Sequence, residues 1–257
     1  MKIGVYDSGI GGISVLHEAL TQLPKEDYIY YADTLHVPYG TKPKEEVKGY
    51  IFEAVDFMQQ QQVKALVIAC NTATVVAVEE LRKRYSFPII GMEPAVKPAL
   101  AASRGKRVLV MATPLALKQD KFQALLKKVD GEQLVDLLPA PELVEFAEKF
   151  IFNEETILAY LKEKLQPYNL ADYGTIVLGC THFIYFKDIL KKYVPEHIHV
   201  VDGNGGTVKN LKRILREKNK MDEGQGNVNF YISGHKIEGG TELENFKRLM
   251  NRIEDIL

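Results

Sequence analysis

Short apolar, β-branched runs punctuate the chain at residues 3–6, 28–31 and 65–69, and between them the apolar positions spread to a helical spacing. A run of that length bounded by polar turns predicts a buried strand, whereas apolar residues three and four apart predict a helix with one buried side. Helices are therefore expected over residues 14–23 and through Val47, Ile51, Ala54, Val55 and Met58, whose spacing keeps one face apolar. Another follows the third strand from about residue 74 to residue 85, ahead of the short apolar pair Ile89 and Ile90. Strands that alternate with helices predict β-α crossovers and a mainly parallel sheet.

The same order then returns. K-R-V-L-V-M-A-T at 106–113 resembles M-K-I-G-V-Y-D-S at 1–8 with an offset of 105. L-V-D-L-L-P-A at 134–140 corresponds to Y-I-Y-Y-A-D-T at 28–34 with an offset of 106, and Cys180 lies 110 residues after Cys70. Similar offsets in one order imply two related halves, each with a cysteine at the end of its third main strand. The expected fold is α/β, with two pseudo-symmetric parallel-sheet domains and the active site in the cleft between them. The first domain is expected to be discontinuous, 1–97 plus 206–257, and the second to span 98–205. A basic helix, a polar G-Q-G-N loop, a strand at 228–232 and a terminal helix have no counterpart in the second half and are expected to pack back on the first.

Composition narrows the function classes. A formal net charge of −1 gives no global reason to bind nucleic acid or an anionic membrane. The local cluster of Lys209, Lys212, Arg213, Arg216, Lys218 and Lys220 reads as a solvated helix face. The opening M-K-I-G-V-Y-D-S is too charged and too short for a signal peptide, and no run of 18 apolar residues occurs, so the cytoplasm is the expected compartment. There the two cysteines are expected to stay reduced. No C-x-x-C occurs, and a metal site made by Cys70, Cys180 and His182 rests on C-x-H alone, which is not a convincing ligand spacing, so no metal is expected. No lysine lies in a recognisable cofactor motif, and no cofactor is expected either.

Cys70, in L-V-I-A-C-N-T-A, and Cys180, in T-I-V-L-G-C-T-H, each end an apolar run and lead toward an expected helix. A thiol at such a place sits at the carboxyl end of a buried strand, near helix N-terminal N–H groups that favour a thiolate. The turn D-S-G-I-G-G at 7–12 fits neither the dinucleotide nor the phosphate-loop glycine pattern, but its glycines permit close approach by a small anion such as a carboxylate. Asp7 orients a ligand amine or acts on a thiol proton there, or it caps the turn. Asn71, Thr72 and Thr181 offer donors to a carboxylate or cap the segments they begin, and His182 assists proton movement near Cys180 or is an incidental loop residue. Two cysteines on opposing halves permit acid-base chemistry at a chiral carbon, one thiolate removing a proton from one face while the other thiol delivers one to the opposite face.

The passages D-S-G-I-G-G at 7–12, Y-A-D-T-L-H-V-P-Y-G at 31–40, A-C-N-T-A at 69–73 and L-G-C-T-H at 178–182 resemble those of the glutamate racemases, cofactor-independent members of the aspartate and glutamate racemase family. The resemblance covers nearly the whole chain. It implies interconversion of L-glutamate and D-glutamate in the cytoplasm, supply of the D-isomer for peptidoglycan, and a homodimer. It implies that Cys70 is the base toward D-glutamate and Cys180 the base toward L-glutamate, with Asp7 assisting the first and His182 the second. Ser8, Pro38, Tyr39, Gly40, Asn71, Thr72 and Thr181 would line or hold the substrate, and Asp33 would support the loop or cap it. The family's further acid lies in C-P-x-L-V-P-L-V-E, which looks like A-P-E-L-V-E-F-A-E at 140–148 and favours Glu148, with Glu142 and Glu145 as alternatives. Ala140 and Glu145 replace the family's cysteine and proline, Val37 replaces the cysteine of its C-P-Y-G turn, and H-K-I-E-G-G at 235–240 is less acidic than the family's tail.

Other readings keep some of these residues. An aspartate or broader amino-acid racemase would retain both thiols, a Cys-His hydrolase would use Cys180 and His182 and dispense with Cys70, and a small-ligand binding module would need neither thiol.

Overall fold

The computed structural model describes residues 1–221 and 223–256. The first strands and helices are β1 (Ile3–Asp7), α1 (Ile13–Gln22), β2 (Tyr28–Ala32), α2 (Lys44–Gln60), β3 (Ala65–Ile68), α3 (Asn71–Arg84) and β4 (Ile89–Gly91). There follow α4 (Val96–Ala102), β5 (Arg107–Ala112), α5 (Pro114–Lys118), α6 (Asp120–Val129), β6 (Val135–Pro139), α7 (Glu142–Glu148), α8 (Glu154–Leu165), β7 (Tyr173–Leu178), α9 (Lys187–Tyr193) and β8 (His199–Asp202). The tail contributes α10 (Asn204–Glu217), β9 (Val228–Ile232), β10 (His235–Ile237) and α11 (Gly240–Ile256).

Two sheets result, with strand orders β10-β9-β2-β1-β3-β4 and β6-β5-β7-β8. The core of the first, β2-β1-β3-β4, has the same order and parallel sense as the whole of the second, as the repeated offsets require. The tail strand β9 adds to β2 in parallel, and β10 turns back antiparallel on it. Residues of β1, β3 and β7 are buried throughout, which is why their sequences read as unbroken apolar runs rather than alternating ones. The helix α2 buries Val47, Ile51, Ala54, Val55 and Met58, the stripe its spacing predicts.

The chain crosses between sheets twice. The helix α4 packs on β5 and β7, whereas α10 packs on α1, β3 and β4. The boundaries expected at 97/98 and 205/206 lie just inside these two helices. The basic cluster falls mostly on the outer face of α10, whose Thr207, Val208, Leu211 and Leu215 are buried. Lys212 and Lys220 reach back to the carbonyls of Gln22 and Lys64.

Two elements differ from expectation at the positions that matter most. The third helix begins at Asn71 rather than near residue 74, so Cys70 is its N-cap residue and its Sγ accepts the Ala73 N–H at 3.4 Å. The segment after Cys180 is not an α-helix but a 3₁₀ turn over Thr181–Phe186, followed by α9. With three residues per turn, side chains at i and i+3 eclipse, which puts His182 and Tyr185 on one side. Both then face the other half: Tyr185 donates to the carbonyl of Ile10 at 2.8 Å, and His182 packs against Gly11.

Candidate active site

The loop after β1 and the turn after β7 meet face to face. Asp7, fully buried at the end of β1, accepts hydrogen bonds from the Gly9 N–H at 3.0 Å and the Thr181 hydroxyl at 3.0 Å. Glu148, the last residue of α7, accepts the Ile10 N–H at 2.8 Å and an N–H of His182 at 2.6 Å. The other ring nitrogen of His182 is 3.8 Å from Cys180 Sγ. On the first half, the Cys70 thiol donates to Ser8 Oγ at 3.5 Å, and Ser8 in turn donates to Asp7 at 3.5 Å. Both cysteines are free, and they occupy the second position past the ends of β3 and β7.

Of the three acids in the 140–148 passage, Glu148 alone enters this network. Glu142 accepts from Tyr160 and Lys164, and Glu145 pairs with Lys149 at the surface. Among the described residues no group of three His, Cys, Asp or Glu side chains is arranged to hold a metal ion, so Cys70, Cys180 and His182 do not assemble as one.

Burial governs the charges. It raises the Asp7 carboxyl to about 6, against the opposing pull of His182, the Gly9 N–H and Thr181. Burial also pushes the Cys70 thiol up to about 12, and the Asp7 charge adds to it; the Ala73 N–H and Ser8 work the other way and lose. The expectation that helix N–H groups would favour a thiolate at Cys70 is thus overturned by desolvation and a neighbouring carboxylate. At His182 burial disfavours the imidazolium, but hydrogen bonds to Cys180 and Glu148 and their charges outweigh it and hold the ring well above its ordinary range. The two thiols therefore have opposite surroundings: Cys70 faces a carboxylate and Cys180 a cation.

The glycines of the 7–12 turn serve side chains rather than unusual backbone angles. None of Gly9, Gly11 and Gly12 is among the glycines with positive φ. A Cβ on Gly9 would collide with the Glu148 carboxylate, and one on Gly11 with Thr181 and His182. Close approach of the second half is what excludes larger residues here.

The remaining expected residues line the same seam. Thr72 and Thr113 share a hydrogen bond of 2.8 Å between the halves, and Gly40 presses against Thr113. Asn71 reaches the Met92 carbonyl at 3.4 Å. Pro38 precedes the 3₁₀ turn Tyr39–Thr41, and the Tyr39 hydroxyl is committed to Asp33 and Tyr6. Sequence reasoning missed Thr113 and Tyr185. Thr113 stands 105 residues after Ser8, so the repeat offset contained the signal; Tyr185 had none. Cys70 and Cys180 are only 6% and 8% exposed.

Residues 8–211 match the Asp/Glu/hydantoin racemase family. The chain is 57% identical over 240 residues to the glutamate racemase of Halothermothrix orenii, covering 93% of this chain and 95% of that one. It is 52% identical over 257 residues to glutamate racemase 2 of Bacillus subtilis, covering 99% and 97%. The crystal structure of Escherichia coli glutamate racemase in complex with L-glutamate and the activator UDP-MurNAc-ala superposes with a TM-score of 0.83 at 28% identity, over 98% of this chain and 95% of that one.

Two outcomes follow from the packing and the charges. Gly11→Ala forces the 181–182 turn away, so the protein should lose about 1–3 kcal/mol of stability from overpacking. In the same variant the His182 ring, followed by NMR titration, should move back toward ordinary histidine values; an unchanged titration would mean that the contact is slack. Asp7 is raised from 3.8 to about 6, so the folded state binds the extra proton and stability falls as pH rises through that window. Asp7→Asn removes that slope, and urea unfolding should show the variant gaining on the parent by up to about 3 kcal/mol between about pH 4 and pH 7.

Proposed function

The chain belongs to the Asp/Glu/hydantoin racemase family, and from that premise we propose that it interconverts L-glutamate and D-glutamate by two-base proton transfer at the α-carbon. The observation that carries this reading is the pair of free thiols at equivalent strand ends of the two sheets, joined through Ser8, Asp7, Thr181 and His182 in one seam. The relatives at 57% and 52% identity are glutamate racemases, which favours glutamate over aspartate.

With L-glutamate between the halves, the Cys180 thiolate takes the α-proton, and the electron pair stays on the substrate as a short-lived carbanion. Cys70 delivers its own proton to the opposite face, giving D-glutamate. The enzyme is left with a Cys180 thiol and a Cys70 thiolate, the arrangement that starts the reverse reaction. The resting surroundings suit the first direction: burial beside Asp7 keeps Cys70 protonated as the donor, and the His182 ring lies 3.8 Å from the Cys180 sulfur. Resetting Cys70 for D-glutamate requires a base, and Asp7 lies beyond Ser8 on a path of two 3.5 Å contacts. Glu148 holds His182 in line. Ser8, Asn71, Thr72, Thr181 and the Pro38–Tyr39–Gly40 turn hold the substrate, and closure of the seam excludes water from the carbanion.

In the same reading the domains are 1–97 plus 206–257 and 98–205, the catalyst needs no cofactor, and it acts as a cytoplasmic homodimer whose D-glutamate feeds peptidoglycan assembly. Among the described residues no helix is long and apolar enough to cross a membrane.

The test is chiral chromatography of glutamate with the parent protein, Cys70→Ser and Cys180→Ser. The parent should bring either enantiomer to an equal mixture, and each variant should lose about 1,000-fold or more in kcat, in the range of a lost acid-base group. Racemisation that survives either substitution would refute the two-base reading, and turnover of aspartate alone would reject the substrate.

A further inference from the structure

Asp33 lies just past β2, where the loop toward Pro38 begins, and its side chain is 4% exposed. It accepts from His36 Nδ1 at 2.8 and 2.9 Å, from the Tyr39 hydroxyl at 2.5 Å and from the Ser233 hydroxyl at 3.2 Å. Its backbone N–H donates to the carbonyl of Asp7 at 3.1 Å, tying the loop to the floor of the site. The Tyr39 hydroxyl also meets that of Tyr6 at 2.7 Å, and the His36 ring stacks on Tyr50 with centroids 3.7 Å apart. One carboxylate thus organises the whole segment that leads to Gly40.

Ser233 comes from the turn between β9 and β10, in the tail that has no counterpart in the second half. Its hydroxyl donates to Asp33 and accepts the Leu35 N–H at 3.2 Å, and its own N–H reaches the carbonyl of Ala32 at 2.8 Å. Ser233 has a φ of +44°, a left-handed conformation that glycine adopts without strain. The residue present instead supplies a hydroxyl between the carboxylate and the first amides of the loop.

We propose that Ser233 is a positioning residue for the substrate turn: through Asp33 and the Leu35 amide it fixes residues 34–41, so that Pro38, Tyr39 and Gly40 meet the substrate in one arrangement. What the turn binds rests on the racemase reading above; the latch itself rests on the hydrogen bonds. Without the hydroxyl the loop populates other arrangements, and apparent affinity falls in proportion to the competent fraction. Saturating substrate draws the loop back, so the turnover step is spared.

Ser233→Gly is the test, because glycine suits the left-handed backbone and the hydroxymethyl group it removes carries the only side-chain hydrogen-bonding atom. The KM for both enantiomers should rise about tenfold with kcat within about threefold and no loss of thermal stability, the signature of a reduced competent fraction. Hydrogen exchange at residues 34–41 should quicken, and Asp33→Asn combined with Ser233→Gly should raise KM no further than Asp33→Asn alone. A KM within about twofold of the parent's, or full additivity of the two substitutions, would overturn the proposal. Parent protein inactive on glutamate would sink the substrate reading, while the exchange measurement still decides the latch: unchanged protection at 34–41 in Ser233→Gly overturns it.

Discussion

Five ionisable side chains, Asp7, Cys70, Glu148, Cys180 and His182, share a seam from which water is nearly excluded, and the rest of the molecule is arranged around the cost of keeping them there. An unpaired buried charge is expensive, so each group is either neutral or partnered. Cys70 is held neutral, His182 takes up a cation's role between Cys180 and Glu148, and Asp7 is raised into the range where it exchanges a proton near neutrality. The glycine turn, the 3₁₀ turn after Cys180 and the Tyr185 bond to Ile10 all bring backbone and hydroxyl donors to within reach of these groups.

The four-strand order repeats between the halves, but the electrostatics does not. At the repeat offset of 105, Asp7 corresponds to Ala112 and Ser8 to Thr113; at the offset of 110, Asn71 corresponds to Thr181 and Thr72 to His182. At these matched positions the first half carries the Asp7 carboxylate and the second the His182 imidazole, which pairs with Glu148 of its own half. Symmetry delivers two thiols to opposite sides of one seam, and these substitutions give the thiols different neighbours, Ser8 and Asp7 near Cys70 and His182 near Cys180. A reaction that needs one proton donor and one acceptor at a time uses both features.

Much of this was legible in the chain. Unbroken apolar runs marked the parallel strands, the repeated offsets anticipated the matching strand orders, and the cysteine motifs marked where the halves meet. Secondary structure after Cys180 was not legible, because T-H-F-I-Y-F is apolar enough for several local structures and its 3₁₀ form is set by bonds to the other half. The Cys70 thiol was misjudged because sequence reveals the N-terminal amides behind it but not the depth of burial or the carboxylate beside it. Choosing Glu148 over Glu142 and Glu145 required knowing which way each side of α7 points. The Ser233 contact spans 200 residues and carries no local pattern.

The central claim is that protons arrive at the α-carbon from one thiol after leaving to the other. It is tested most directly by turning over each glutamate enantiomer in D2O and reading the α-position of product and residual substrate early in the reaction. Two-base transfer gives product carrying solvent deuterium and leaves residual substrate still carrying protium, from either starting enantiomer. Product that keeps the substrate's own proton, or residual substrate that exchanges ahead of product formation, would contradict it and point to a single base serving both faces.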